Sequence, residues 1–278
     1  MTTAHEKMTL LDAIEGKLKD TKRIPFLSRI VLTAKIVDRQ TTVDHEIAEY
    51  FERIVPNLSA VRRGMSIGVS RGRKVYPSGV LLCMPNSIVQ LLEASYEDIC
   101  SFVTTFALHQ EYAFKQHDAP SERLLEAIDA ASQNRYIFPR GTGLLSNVRI
   151  LFFTDDIPER AFLTWTAHSI PKHFAPNPEL LGFTEKQVLG AYNQLLALGQ
   201  LIKTDSLLAP DTQPTAESLI TIAEESALPS NEIYLNLSSN PDLPTLDEWA
   251  DIYACVIDVS MDDEFTWPAL STLNTLPI

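Results

Sequence analysis

The sequence predicts a mainly α-helical protein with a few short strands, an α+β body in which helices dominate. Three observations carry this expectation. Only 10 glycines occur in 278 residues, which leaves few of the φ > 0 positions that hairpin-rich folds use. Several segments pair capping residues with apolar side chains at helical spacing. No Gly/Ser-rich linker interrupts the chain, whose seams fall at prolines instead.

Residues 8–18 form the first expected helix, with Thr9 and Asp12 as its capping pattern and Leu10, Leu11, Ile14 and Leu18 on one face. Pro25 marks a break, and residues 30–37 then alternate as a strand with Ile30, Leu32, Ala34 and Ile36 on one side. Thr41 and Asp44 open a second helix whose apolar face is Ile47, Tyr50, Phe51 and Ile54; Pro56 lies just past its end. Residues 65–84 read as a small β-hairpin, with strands at 65–69 and 80–84. The strongest helical signal follows: Ser95 and Asp98 cap a segment in which Ile99, Phe102, Val103, Phe106 and Ala107 share a face, running to about His117. A shorter helix is expected over 121–131, and Val-Arg-Ile-Leu-Phe-Phe at 148–153 is the best internal strand.

Beyond a proline-punctuated stretch, Thr184-Glu-Lys-Gln187 opens a helix that buries Val188, Tyr192, Leu195 and Leu196. That helix and the Leu198–Lys203 segment after it resemble the recognition helix and wing of winged-helix modules, over about twenty-five residues; its exposed positions hold too few cations for DNA docking, so the resemblance implies a protein-interaction scaffold. The remainder predicts a helix over 215–227, a short strand over 233–237 and a final helix opened by Pro244 and the Thr245/Glu248 pair. Its expected apolar face is Trp249, Ile252, Tyr253 and Val256. These segments group into a basic N-terminal lobe (1–84), a helical core region (85–203) and an acidic, proline-rich C-terminal lobe with a terminal arm (204–278), as parts of one continuous domain.

A hydrophobic share of 45% beside a charged share of 21% excludes a largely disordered chain. Cys83, Cys100 and Cys255 share no Cys-x-x-Cys spacing, so they read as buried thiols of a reducing compartment. Neither a signal-peptide core nor a membrane span stands out, and a cytoplasmic protein is expected. The net charge of −13 is distributed unevenly: residues 1–80 balance to +5, residues 81–200 to −5, and residues 201–278 carry Lys203 as their single cation, for −13. A basic front facing an acidic back favours head-to-tail association of copies, or contact of the basic part with an external polyanion.

Arg62, Arg63, Arg71, Arg73 and Lys74 place five cations in thirteen residues, interleaved with Gly64, Gly68 and Gly72. Arginines bind phosphate bidentately and glycines let the backbone approach it, so this segment is the candidate polyanion site, for an RNA or DNA backbone read without sequence. Gly68-Val-Ser70-Arg-Gly72 also matches the G-x-S-x-G nucleophile elbow, with Ser70 as the serine. The elbow needs a helix directly after the turn, whereas the sequence continues through Pro77, Ser78 and Gly79. Asp155, Asp156 and Glu159 precede His168 and His173, but Pro171 spoils a helical presentation of the two histidines, so no metal site is predicted. No cofactor fingerprint is present either. Near the C-terminus, Asp262, Asp263 and Glu264 adjoin Phe265 and Trp267, the composition of a segment that anchors by aromatics and steers by acids.

The first functional expectation is therefore a non-enzymatic structural or interaction protein. It self-associates and contacts a polyanion through residues 62–74, with the physical logic of a nucleocapsid or matrix protein. The alternatives are a serine hydrolase using Ser70, and a regulatory adaptor whose acidic-aromatic arm binds a basic protein partner.

Overall fold

The computed structural model describes residues 27–37, 43–55, 76–114, 143–170, 184–208, 221–224 and 228–254. Five strands, β1 (Leu27–Ile36), β2 (Ser78–Cys83), β3 (Ser87–Ser95), β4 (Leu145–Thr154) and β5 (Trp165–Ser169), form one sheet in the order β4-β1-β3-β2-β5. β1 pairs antiparallel with both β3 and β4, β2 pairs antiparallel with β3, and β5 lies parallel to β2. Helices α1 (Val43–Ile54), α2 (Tyr96–Phe114) and α5 (Leu246–Tyr253) cover one face. The other face packs against α3 (Thr184–Leu208), α4 (Asn231–Ser238), the loop between β4 and β5, and a helical turn at 221–224. The protein is thus an α+β fold built on a mixed five-stranded sheet, which corrects the expectation of a mainly α body with short strands.

The strands expected at 30–37, 80–84 and 148–153 are present as β1, β2 and β4, but the central strand β3 escaped the sequence because the sheet is buried on both sides there. Every residue of β2 is buried, as is every residue of β3 but the last. Such strands read as continuous apolar runs rather than alternating ones. The glycine argument failed for a related reason. The β1–β2 and β3–β4 connections carry helices α1 and α2, and the tight β2–β3 turn at Pro85–Asn86 closes through a Met84 N–H to Ser87 carbonyl bond of 2.8 Å without a glycine. The strand expected at 80–84 is β2, but its described hairpin partner is β3 on its C-terminal side; residues 65–69 lie outside the described residues. Gly79 on β2 is the one glycine the sheet demands. Its φ is +143°, and a Cβ there would stand 2.0 Å from the Leu91 carbonyl oxygen.

Three further expectations are corrected. Residues 233–237 belong to helix α4, where Ile233, Tyr234 and Leu237 turn to the sheet at helical spacing. α3 runs unbroken from Thr184 to Leu208, so residues 198–203 continue the helix rather than form a wing. In α5 the buried residues are Leu246, Trp249 and Ala250, whereas Ile252 and Tyr253 are exposed. The helices expected at 8–18 and 121–131 lie outside the described residues. Among those described, no helix is long and apolar enough to cross a membrane.

Candidate functional site

Strand β3, at the centre of the sheet, carries two polar side chains inside its apolar run Ser-Ile-Val-Gln-Leu-Leu-Glu-Ala-Ser. Strand alternation sends them to opposite faces. Gln90 shares the face of Ile88 and Leu92, under α1 and α2; Glu93 shares that of Val89 and Leu91, toward α3. Both are fully buried. Their surroundings differ completely.

Glu93 is saturated. Its Oε1 accepts from Arg29 Nε at 2.8 Å, Arg29 Nη2 at 2.6 Å and the Ala161 amide at 2.9 Å. Its Oε2 accepts from Ser78 Oγ at 3.0 Å and the Phe162 amide at 3.2 Å. Arg29 uses its remaining reach to donate to Tyr192 Oη at 2.8 Å and to the Glu159 carbonyl at 3.1 Å. One ion pair thereby ties β1, β2, β3, the β4–β5 loop and α3 together. A buried pair is tolerated only when its lone pairs and protons are met in this way. Arg160 stands at the margin of the network. It donates from Nη1 to Ser78 Oγ at 2.7 Å, and burial draws its guanidinium below the usual arginine range despite Glu93 nearby.

Gln90 is the reverse. Neither Nε2 nor Oε1 has a hydrogen-bond partner, and no other described residue has both its amide atoms in that state. Its cross-strand neighbours are Leu32 and Leu81, so nothing beside it in the sheet can bond to it. α1 packs over β2 and β5 while α2 packs over β1 and β3, and Gln90 lies beneath the seam between the helices. A crossbar spans that seam: Tyr50 Oη on α1 lies 3.0 Å from His109 Nδ1 on α2. Burial lowers the pKa of His109 to about 4, so the imidazole there is neutral. The indole Nε1 of Trp165, on β5 and packed on the same face, is also buried without a partner.

Leaving a buried polar group unbonded costs about 1–3 kcal/mol. Other polar side chains on β1 and β3 avoid that cost: Thr33 Oγ1 donates to the Ile88 carbonyl at 2.8 Å, and Ser87 Oγ donates to Asn231 Oδ1 at 2.9 Å. Gln90 offers a donor and an acceptor side by side. The complementary group is a carbonyl next to an N–H, as on the edge of a lactam or imide ring.

Of the residues singled out from the sequence, Ser70, Arg62, Arg63, Arg71, Arg73 and Lys74 lie outside the described residues, as do Asp262, Asp263, Glu264, Phe265 and Trp267. The acids near the histidines are engaged elsewhere: Asp155 accepts from Ser28 Oγ at 2.5 Å, and Glu159 pairs with Lys203 at 2.6 Å. No group of three metal-ligating side chains occurs among the described residues. Gln90 and Glu93 were missed in the sequence, where the available signal was a polar residue embedded in an apolar run.

No family model matches the chain, and no curated protein matches it in sequence. Among solved structures, a bacterial light-regulated adenylyl cyclase is similar at a TM-score of 0.27 with 18% identity, over 71% of this chain and 39% of that one. Klebsiella pneumoniae BlrP1, in a calcium and cyclic-di-GMP complex, is similar at a TM-score of 0.23 with 13% identity, over 60% of this chain and 33% of that one. The chain thus corresponds to well under half the length of either, and likeness of this degree establishes neither a common fold nor a common function.

Proposed function

We propose that this protein is a regulatory binding module whose ligand is a small planar ring with a carbonyl beside an N–H, held against Gln90 under the α1–α2 seam. The observation that supports it is the fully buried Gln90 amide with both polar atoms unbonded, set in a sheet that satisfies its other polar groups on β3. A ring edge bonded to Nε2 and Oε1 recovers the desolvation cost of the amide, and the apolar surroundings accept the ring's faces. Trp165 supplies a further donor on the same face. The regulatory part of the reading follows from α5, which packs on α2. Tyr96 Oη at the start of α2 donates to the Tyr253 carbonyl at 2.5 Å, so a shift of α2 reaches the end of α5 and the acidic segment that follows it in the chain.

The test uses three rings of increasing size that share this edge: uracil, lumazine and riboflavin. Each is titrated by calorimetry into the full chain and into Gln90→Leu. At least one ring binds the wild type, and the variant loses it by tenfold or more. The same substitution raises the stability of the free protein by roughly 1–2 kcal/mol, because an apolar side chain no longer buries an unbonded amide. Failure of all three rings to bind, or a variant that is less stable than wild type, overturns the reading.

A second reading is favoured by the charge distribution along the chain: copies associate with the basic residues 1–80 of one against the acidic residues 201–278 of the next. The 62–74 segment then engages either that acidic surface or a nucleic-acid backbone.

A further inference from the structure

Helix α4 begins beside the β2–β3 turn without the capping bonds that a buried helix end requires. The first turn of a helix leaves N–H groups that its own carbonyls cannot reach. In α4 the N-cap is Ser230, and its side chain makes no cap bond. The side chain of Asn231 is committed elsewhere: its Oδ1 accepts from the Asn86 amide at 3.0 Å and from Ser87 Oγ at 2.9 Å. The Ile233 amide donates to the Ser230 carbonyl at 3.0 Å, but the Asn231 and Glu232 amides have no hydrogen-bond acceptor among the described residues.

Two hydroxyls of the same turn are unbonded as well. Ser230 Oγ and Tyr234 Oη are buried with no hydrogen-bond partner, and their residues are 2% and 0% exposed. Ser230 stands at the helix tip by its position as N-cap. Tyr234 is one turn further on. A helical side chain leans toward the N-terminus, over the residues three and four before it, which here are Asn231 and Ser230. Burial pushes the Tyr234 phenol up, so it keeps its proton and can donate. The start of α4 thus gathers two amide and two hydroxyl donors, to which the partial positive charge of the helix end adds.

This donor set suits an acceptor with two oxygens, one for the amides and one for the hydroxyls. Among the described residues, Ser230, Asn231 and Tyr234 make no hydrogen bond or ion pair with a Lys, Arg or His. A dianion such as phosphate would be buried there without a cation, whereas a monoanion carries half that charge into the site. Leu228, Ile233 and Tyr234 belong to the apolar core on this face, which suits a short aliphatic tail. Asn86 and Glu232 are exposed, so the start of α4 lies just beneath the surface.

We infer that the N-terminus of α4 binds a small monocarboxylate, of the size of acetate, through the Asn231 and Glu232 amides and the hydroxyls of Ser230 and Tyr234. The inference is independent of the Gln90 site, which lies on the opposite face of the sheet. In the full chain, the amide resonances of Asn231 and Glu232 are followed while sodium acetate, phosphate or chloride is added at matched ionic strength. Acetate is expected to move both resonances saturably and to raise the thermal midpoint; phosphate and chloride leave both unchanged. Ser230→Ala and Tyr234→Phe each weaken acetate binding by tenfold or more. Without acetate both variants melt at or above the wild-type midpoint, because each removes an unbonded buried hydroxyl. Resonances that acetate does not move, an equal response to phosphate or chloride, unchanged acetate affinity in either variant, or a lowered midpoint in both variants each overturns the proposal.

Discussion

His109 illustrates how burial turns a single side chain into a pH-dependent strut. It is 3% exposed, and desolvation lowers its pKa from an ordinary 6.5 to about 4. In the unfolded chain the imidazole takes up its proton as pH falls past 6.5, whereas in the fold it does so only near 4. The folded state therefore loses stability as pH falls from about 6.5 toward 4, by up to about 3 kcal/mol from this group. Denaturant titrations at pH 7 and pH 4.5 measure the loss. In His109→Gln, which cannot titrate and still offers Tyr50 a polar partner, the drop is smaller by about that amount. An identical pH dependence in the two proteins would remove His109 from the account. The residues that matter at this scale were only half legible. Ile47, Tyr50, Phe51 and Ile54 declared their face by spacing, and all four are buried. Gln90 and Glu93 have the same kind of sequence context, and nothing local distinguishes the unbonded amide from the saturated carboxylate. Their difference comes from Arg29, Ser78 and residues 161–162, which only the fold brings to one side of β3.

Among the elements, those with terminal chemistry were the readable ones. The Thr245/Glu248 capping box is present at the start of α5: Thr245 Oγ1 accepts from the Glu248 amide at 3.2 Å, and the Glu248 carboxylate accepts from the Thr245 amide at 2.8 Å. Those bonds hold the Glu248 carboxyl below the usual range. Thr245→Ala removes one side of the box and is expected to destabilise the protein by about 1 kcal/mol in denaturant unfolding. A change within 0.3 kcal/mol would mean that packing of Trp249 alone sets the start of this helix, roughly the level at which a cap contributes nothing. α2 was legible likewise, with Ser95 Oγ accepting from the Asp98 amide at 3.2 Å. β3 and β5 had no such punctuation. β3 is a two-sided apolar run, and β5 is five residues long within a proline-rich stretch. α4 was read as a strand because Ile-Tyr-Leu-Asn-Leu satisfies a period of two nearly as well as one of 3.6 over so short a window. Burial of Tyr234 and Leu237 against the sheet decided it.

At the scale of the whole molecule, the sheet is sandwiched between two helical layers with a hydrophobic core on each side. That arrangement buries the central strands β3 and β2 on both faces and draws the β4–β5 loop into one of the cores. Charge belongs to this scale as well. If opposite ends of neighbouring copies attract, light scattering on a size-exclusion peak shows a large species at low salt that dissolves at roughly 0.5 M, where exposed charges are screened within a few ångströms. A salt-indifferent monomer, with or without an oligonucleotide, would exclude assembly of this kind. Composition, charge polarity and the amphipathic or capped segments were legible in the sequence alone, since the first two are sums over residues and the segments depend on residues within one or two turns of each other. Strand order, the parallel placement of β5, and the contrast between Gln90 and Glu93 were decided only by tertiary structure. They depend on partners far apart in the chain: Arg29 and Tyr192 are 163 residues apart, and Asn86 and Asn231 are 145 apart. A local pattern records that a side chain is polar or apolar; which groups surround it once buried is a property of the assembled sheet.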